Sequence, residues 1–275
     1  PRGGSVWGGS DDREAIRTVR MGIDQGINLL DTAPVYGFGK SEELVGRALA
    51  EHGCREDVII ATKVGLQWRD GKITRNSSRQ RVLSEIEDSL RRLNTSYVDL
   101  YQVHWPDPLV PIEETAEALA TLYRQGKVRA LGVSNYSPRQ TEQFRAVAPL
   151  HTIQPPYNLF EREIQHDVLP AARQANLDVL AYGALCRGLL SGRMSIKSQF
   201  QGDDLRRVDP KFREPRFAQY LKAVNRLDQF AKDSYGKGVL ELAVRWLLDQ
   251  PGVSIALWGA RRPDQLAAVC QIMGW

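Results

Sequence analysis

A beat runs through this chain and constrains it more than any single motif. Short apolar runs of strand length alternate with longer amphipathic stretches, roughly every 25 to 40 residues. Strand-like runs begin near residues 27, 58, 98, 128, 151, 177 and 253. Repeated strand–helix units build parallel sheets, and no Rossmann-type glycine fingerprint follows any of the runs. The reading is therefore α/β, a (β/α)8 barrel rather than a doubly wound sheet, and 275 residues suit a single barrel domain over residues 1–275. Seven strands are recognisable. The eighth should precede Asp11, but residues 1–10, PRGGSVWGGS, are glycine-rich and carry no strand pattern. The expectation is a barrel whose first strand is missing, cut short at both termini.

Three of the runs stop on a polar residue: INLLD on Asp31, VIIATK on Lys63 and VDLYQVH on His104. In a closed parallel barrel the C-terminal strand ends meet at one face, so an acid, a cation and an imidazole would converge there. Tyr36 lies in the loop after Asp31, where Pro34 and Gly37 force a turn before the acidic helix start Ser41-Glu42-Glu43. Each residue alone has an ordinary reading: Asp31 as a turn former, Lys63 as a surface lysine, His104 as a satisfied buried histidine. Their coincidence in register is what points to chemistry. A phenol has a pKa of about 10, too high for efficient proton donation near neutrality. An ammonium at Lys63 would lower it, Asp31 would hold the lysine charged, and a neutral His104 could orient a substrate carbonyl.

The remaining segments follow the same reading. Helices are expected at 11–24 (capped by Asp11 or Asp12), 41–52 (closed by Gly53), 78–93, 112–125, from Pro138, at 168–175, 216–235 and 239–250, with another beginning after GARRPDQL. In 78–93, Val82, Ile86, Leu90 and Leu93 share one face. The polar stretch 67–76 reads as a rim loop and 195–215 as a long functional loop.

Composition narrows the ligands. Lys+Arg exceeds Asp+Glu by 37 − 33 = 4 with the basic residues scattered, which argues against a nucleic-acid surface but suits a phosphate-bearing small ligand. Cys54, Cys186 and Cys270 are odd in number, far apart and without metal-ligand spacing, as in reduced thiols of a cytoplasmic protein with no metal site. No apolar segment has the length of a membrane span, and no signal peptide is visible.

DTAPVYG, ATKVG and QVHWPDP resemble the signatures of the aldo-keto reductase superfamily, and later segments extend the resemblance over nearly the whole chain. The bacterial sugar-, polyol- and aldehyde-handling reductases are the branch it is most similar to. The resemblance implies that Asp31, Tyr36, Lys63 and His104 form the catalytic set. It implies that Ser134, Asn135 and Gln154 bind a nicotinamide carboxamide, that Tyr182 stacks on the ring, and that Gly183, Leu185 and Arg187 pass near the pyrophosphate. In GARRPDQL it implies that Gly259 binds the cofactor and that Arg261, Arg262 and Gln265 meet the adenosine 2′-phosphate, so that NADP(H) is preferred over NAD; guanidinium suits phosphate oxygens. Trp7 and Trp105 would wall the substrate pocket. Ala268-Val269 depart from the Glu-Asn that relatives often place against adenine, which puts the strength of adenine binding in doubt. The implied function is reversible, NADP(H)-dependent reduction of small aldehydes or ketones, sugars and polyols among the substrates. A nucleotide-sensing regulatory subunit of the same fold and an inactive fragment remain open alternatives. Physiological substrate, direction and oligomeric state are not specified.

Overall fold

Each of the seven apolar runs becomes a parallel strand of one sheet in the computed structural model, which describes residues 11–202, 204–268 and 272–275. In chain order the strands are β1 (Leu29–Asp31), β2 (Ile59–Val64), β3 (Leu66–Arg69), β4 (Lys72–Arg75), β5 (Val98–Val103), β6 (Val128–Ser134), β7 (Thr152–Gln154), β8 (Asp178–Ala181) and β9 (Val253–Ala256). The helices are α1 (Asp12–Asp24), α2 (Lys40–His52), α3 (Arg79–Leu93), α4 (Ile112–Arg124), α5 (Pro138–Arg145), α6 (Val168–Gln174), α7 (Arg216–Tyr235) and α8 (Val239–Leu248). The main sheet runs β1-β2-β5-β6-β7-β8-β9, so every strand lies beside its successor and the sheet curls as an α/β barrel wall. Among the described residues β1 and β9 are its two edges. The missing first strand and Trp7 concern residues 1–10, which lie outside the described residues.

Alternation along the strands sorts side chains into two sides. One set, including Ile60, Tyr101, Val103, Leu131, Val133, Ile153 and Val179, packs with Val82, Ile86, Leu90 and Leu93 of α3 and with the other helices. Each such side chain contributes about 1.5–3 kcal/mol on leaving water. The other set points into the barrel. Its lower layer is apolar, with Ala61, Leu100 and Leu180 buried and Leu29, Ala130, Ile255 and Leu257 packed against them. One register step above, Lys63 pairs across to Gln102, Gln102 to Gly132 and Gly132 to Thr152. Gly132 is where that layer is tightest: a Cβ there would lie 2.3 Å from Thr152 Oγ1 and 2.8 Å from Gln102 Cγ.

Local signals end the elements where expected. Asp11 caps α1 by accepting from the Arg13 amide at 2.8 Å. Ser137 and Gln140 form a capping box at α5, with Pro138 in its first turn. Gly53 closes α2 with a left-handed φ of 73°.

One expectation needs correction. Residues 67–76 are not a loop: β3 and β4 pair antiparallel as a hairpin on the rim. Asp70 (φ 50°) and Gly71 (φ 76°) make a two-residue turn of left-handed residues, the geometry that an Asp-Gly pair favours. The stretch 195–215 carries single 3-10 turns at Leu205–Arg207 and Pro210–Phe212, and Phe200, Phe212 and Phe217 pack together beneath it. Within GARRPDQL there is one 3-10 turn, Pro263–Gln265, and the helix expected to begin after it falls largely on residues 269–271, outside the described residues.

Candidate active site

The polar layer of the barrel interior is built around Asp31. As the last residue of β1 it turns its carboxylate inward, where Oδ1 accepts from Lys63 Nζ at 2.5 Å. Oδ2 accepts from Gln154 Nε2 at 2.8 Å and Gln102 Nε2 at 3.3 Å. Lys63 Nζ also donates to the Thr32 carbonyl at 2.9 Å. Burial works against the charge on Lys63 more than any other single influence, yet Asp31 and Tyr36 outweigh it and the lysine pKa ends above its ordinary value. The ammonium is therefore held charged inside the barrel.

Tyr36 sits above this pair. Lys63 Nζ is 5.3 Å from the centre of its ring, and the ring meets His104 edge to face at 5.7 Å and 86°. Lys63 pulls the phenol's pKa down, as expected from the sequence, by charge and by hydrogen bonding. Burial pushes it up more strongly, so the net displacement is upward rather than the expected lowering. His104 is displaced far downward, to about 3, first by burial and then by the Lys63 charge. Its ring is neutral at ordinary pH.

A second set of polar groups joins this centre along the strand ends. Ser134 Oγ donates to the Gln154 carbonyl at 2.7 Å, and Asn135 Nδ2 donates to Ser134 Oγ and to the His104 carbonyl, each at 3.0 Å. Asn135 holds a left-handed φ of 61°, and its Oδ1 accepts from the Tyr182 hydroxyl at 2.8 Å. Burial, reinforced by the nearby Tyr36, pushes the Tyr182 phenol up to about 12. Asp31, Tyr36, Lys63, His104, Ser134, Asn135, Gln154 and Tyr182 thus come together as the sequence anticipates. Gln102, fully buried, belongs with them and was not anticipated; its signal is a polar residue two places before His104, on the same side of β5.

The outer residues form separate groups. Gly183 has a φ of 74°, and its carbonyl accepts from Asn158 Nδ2 at 3.0 Å. Leu185 precedes the 3-10 segment Cys186–Ser191, and Arg187 pairs with the buried Asp209 at 3.0 Å. Gln265 Oε1 accepts from the Arg261 and Arg262 amides at 2.7 and 3.2 Å, so its oxygen shapes the turn itself. Arg262 Nε pairs with Asp264 at 2.9 Å, and Arg193 reaches the same carboxylate at 3.3 Å. Gly259 is exposed. Trp105, 37 % exposed, stands at the rim with the Arg75 guanidinium 5.5 Å over its ring. Ala268 is described, whereas Val269 lies outside the described residues. Among the described residues no group of three His, Cys, Asp or Glu is arranged to hold a metal ion, and no helix is long and apolar enough to cross a membrane.

Comparison with known proteins agrees with this architecture. A family model described as "Aldo/keto reductase family" matches residues 2–274. The chain is 60% identical over 273 residues to the aldo-keto reductase YhdN of Bacillus subtilis (strain 168), covering 99% of this chain and 82% of that protein. It is similar in structure to the glycerol dehydrogenase AKR11B4 from Gluconobacter oxydans, with a TM-score of 0.91 and 54% identity over 99% of this chain and 84% of the other. An aldo/keto reductase from Klebsiella pneumoniae, solved in complex with NADP and acetate, matches with a TM-score of 0.73 and 28% identity over 95% of this chain and 80% of the other.

Proposed function

Since the chain belongs to the aldo/keto reductase family, we propose that it reduces small aldehydes or ketones to alcohols, and runs the reverse oxidation, with NADP(H) as cofactor. The observation that carries this reading is the half-buried Tyr36 set between a charged Lys63 and a neutral His104. NADPH, when bound, supplies the hydride. The residues present suit that cofactor. A Cβ at Gly259 would meet nothing within 4 Å, and one at Gly183 would touch only Asn158 Nδ2 at 4.0 Å, so the ends of two neighbouring strands leave open backbone for a diphosphate. Arg261 and Arg262 follow on the exposed rim, where guanidinium groups suit a 2′-phosphate. Asn135 and Tyr182, hydrogen-bonded to each other, would receive the nicotinamide end.

In this reading Tyr36 Oη hands its proton to the carbonyl oxygen as the hydride arrives at carbon. The phenolate left behind is stabilised by Lys63, and Asp31 with its two glutamine donors keeps that ammonium fixed in place. His104, unable to donate from a cationic ring, donates from a neutral one and orients the carbonyl oxygen. In the reverse direction Tyr36 withdraws the alcohol proton. A polyol or sugar-like substrate is favoured by the likeness to a glycerol dehydrogenase. Incubating the protein with NADPH and a panel of small aldehydes, ketoses and hydroxyketones should consume NADPH. Glycerol with NADP should regenerate it. NADPH that binds but is never oxidised across the panel would sink the reading.

A further inference from the structure

We propose that the β3–β4 hairpin is a positioning device for the reacting carbonyl, with Trp68 holding the Tyr36 loop and Arg75 holding the loop that follows His104. The inference rests on the reading above and adds residues outside the barrel to it. The hairpin leaves directly from the strand of Lys63, with only Gly65 between β2 and β3. Its base is tied by the Asn76 amide to the Gly65 carbonyl at 3.0 Å.

From that base it reaches both neighbouring loops. On one side Trp68 stacks on Phe38, two residues after Tyr36, with centroids 5.5 Å apart and planes at 31°. Phe38 needs such a partner. It holds a left-handed φ of 55° between Gly37 and Gly39, a conformation that a bulky aromatic rarely keeps unaided. On the other side Arg75 Nη1 donates to the Pro106 carbonyl at 2.9 Å while its guanidinium lies over Trp105, the residue next to His104. The Ser77 amide donates to Asp107 Oδ2 at 2.9 Å and fastens the same loop. One rim hairpin therefore links the strand of Lys63 to the loops of the proton donor and the orienting imidazole.

The hairpin is not part of the main sheet, and β4 is exposed throughout, so its side chains can be cut back without opening the core. The test replaces Trp68→Ala and Arg75→Ala separately, with Trp68→Phe and Arg75→Lys as conservative companions. Amide hydrogen exchange is followed alongside steady-state turnover. In Trp68→Ala the amides of Tyr36, Phe38 and Gly39, bonded to the carbonyls of Ala33, Val35 and Pro34, should exchange faster. In Arg75→Ala the amide of Leu109, bonded to Asp107 Oδ1, should do so. Turnover should fall about tenfold to a hundredfold, as for a misplacement on the order of 1 Å, with KM for NADPH unchanged and Trp68→Phe recovering most of the loss.

Unchanged exchange at those amides would overturn the proposal, as would unaltered turnover in both alanine variants of an active parent. A loss of turnover accompanied by faster exchange throughout the barrel would overturn it as well, since that is general destabilisation. A parent that never oxidises NADPH, with the local exchange changes present, would sink the proposed reaction and leave the anchoring intact.

Discussion

Lys63–Asp31 and Arg262–Asp264 are both lysine- or arginine-to-aspartate pairs at the same end of the barrel, and the fold treats them oppositely. The first is 1 % and 15 % exposed, with Oδ1 of the carboxylate given to the ammonium and Oδ2 to two glutamine amides from β5 and β7. The second is 53 % and 54 % exposed and joins residues two apart in one turn. Burial makes the inner pair costly to separate, because either partner left alone would be a charge without water. The outer pair exchanges for water or for another anion at little cost. The lesson is about division of labour. A charge enclosed by its partners stays fixed, whereas an exposed one is free to change partners.

Removing the inner cation is the harshest way to break this contrast. Lys63→Met should abolish detectable NADPH oxidation and destabilise the fold by about 3–5 kcal/mol in denaturant titration, because the largely enclosed carboxylate of Asp31 loses its cation. Tyr36→Phe separates chemistry from stability: turnover should fall by about 10²–10⁴ while the melting curve and NADPH binding stay close to the parent's.

Acid sharpens the comparison from another side. His104 is neutral in the fold down to about pH 3 but binds a proton near pH 6.5 once unfolded. The unfolded chain therefore binds more protons between those values, and stability should decline as pH falls from about 6.5 toward 3, being fully retained above that window. Denaturant midpoints measured from pH 7 to 4 should show the decline, and His104→Phe should flatten it. The smallest effect is expected outside. Arg262→Ala should raise the Kd for NADPH about tenfold, leave that for NADH unchanged, and shift the melting curve hardly at all. An equal loss for both nucleotides would show that the exposed arginine does not face a 2′-phosphate.

The strand positions and the convergence of Asp31, Lys63 and His104 were legible because they rest on period and register. Asp31, Lys63 and His104 each end an apolar run, and parallel strands bring such ends together whatever the helices do. Gln102 escaped notice because it lies inside its run rather than at its end. The hairpin escaped because both of its sides are largely in water, so Leu66, Trp68 and Ile73 make only a faint alternation; the Asp70-Gly71 turn was the stronger cue. The direction of the Tyr36 shift could not be read at all. It is a contest between one charge and the depth of burial, and depth is set by residues distant in sequence. At the rim, the preference of Arg262 for Asp264 depends on a single turn's geometry, which the string GARRPDQL does not disclose.

Gly132 gives this arrangement a consequence for how the protein can change. Its position holds no side chain, yet the space it leaves is filled by Thr152 and by Gln102, whose amide reaches the acid. Adding one methyl there would press on Thr152 and on Gln102, and through Gln102 on the carboxylate of Asp31. Rim loops can drift to suit new substrates. The barrel beneath them has a position where the smallest possible enlargement is already too large.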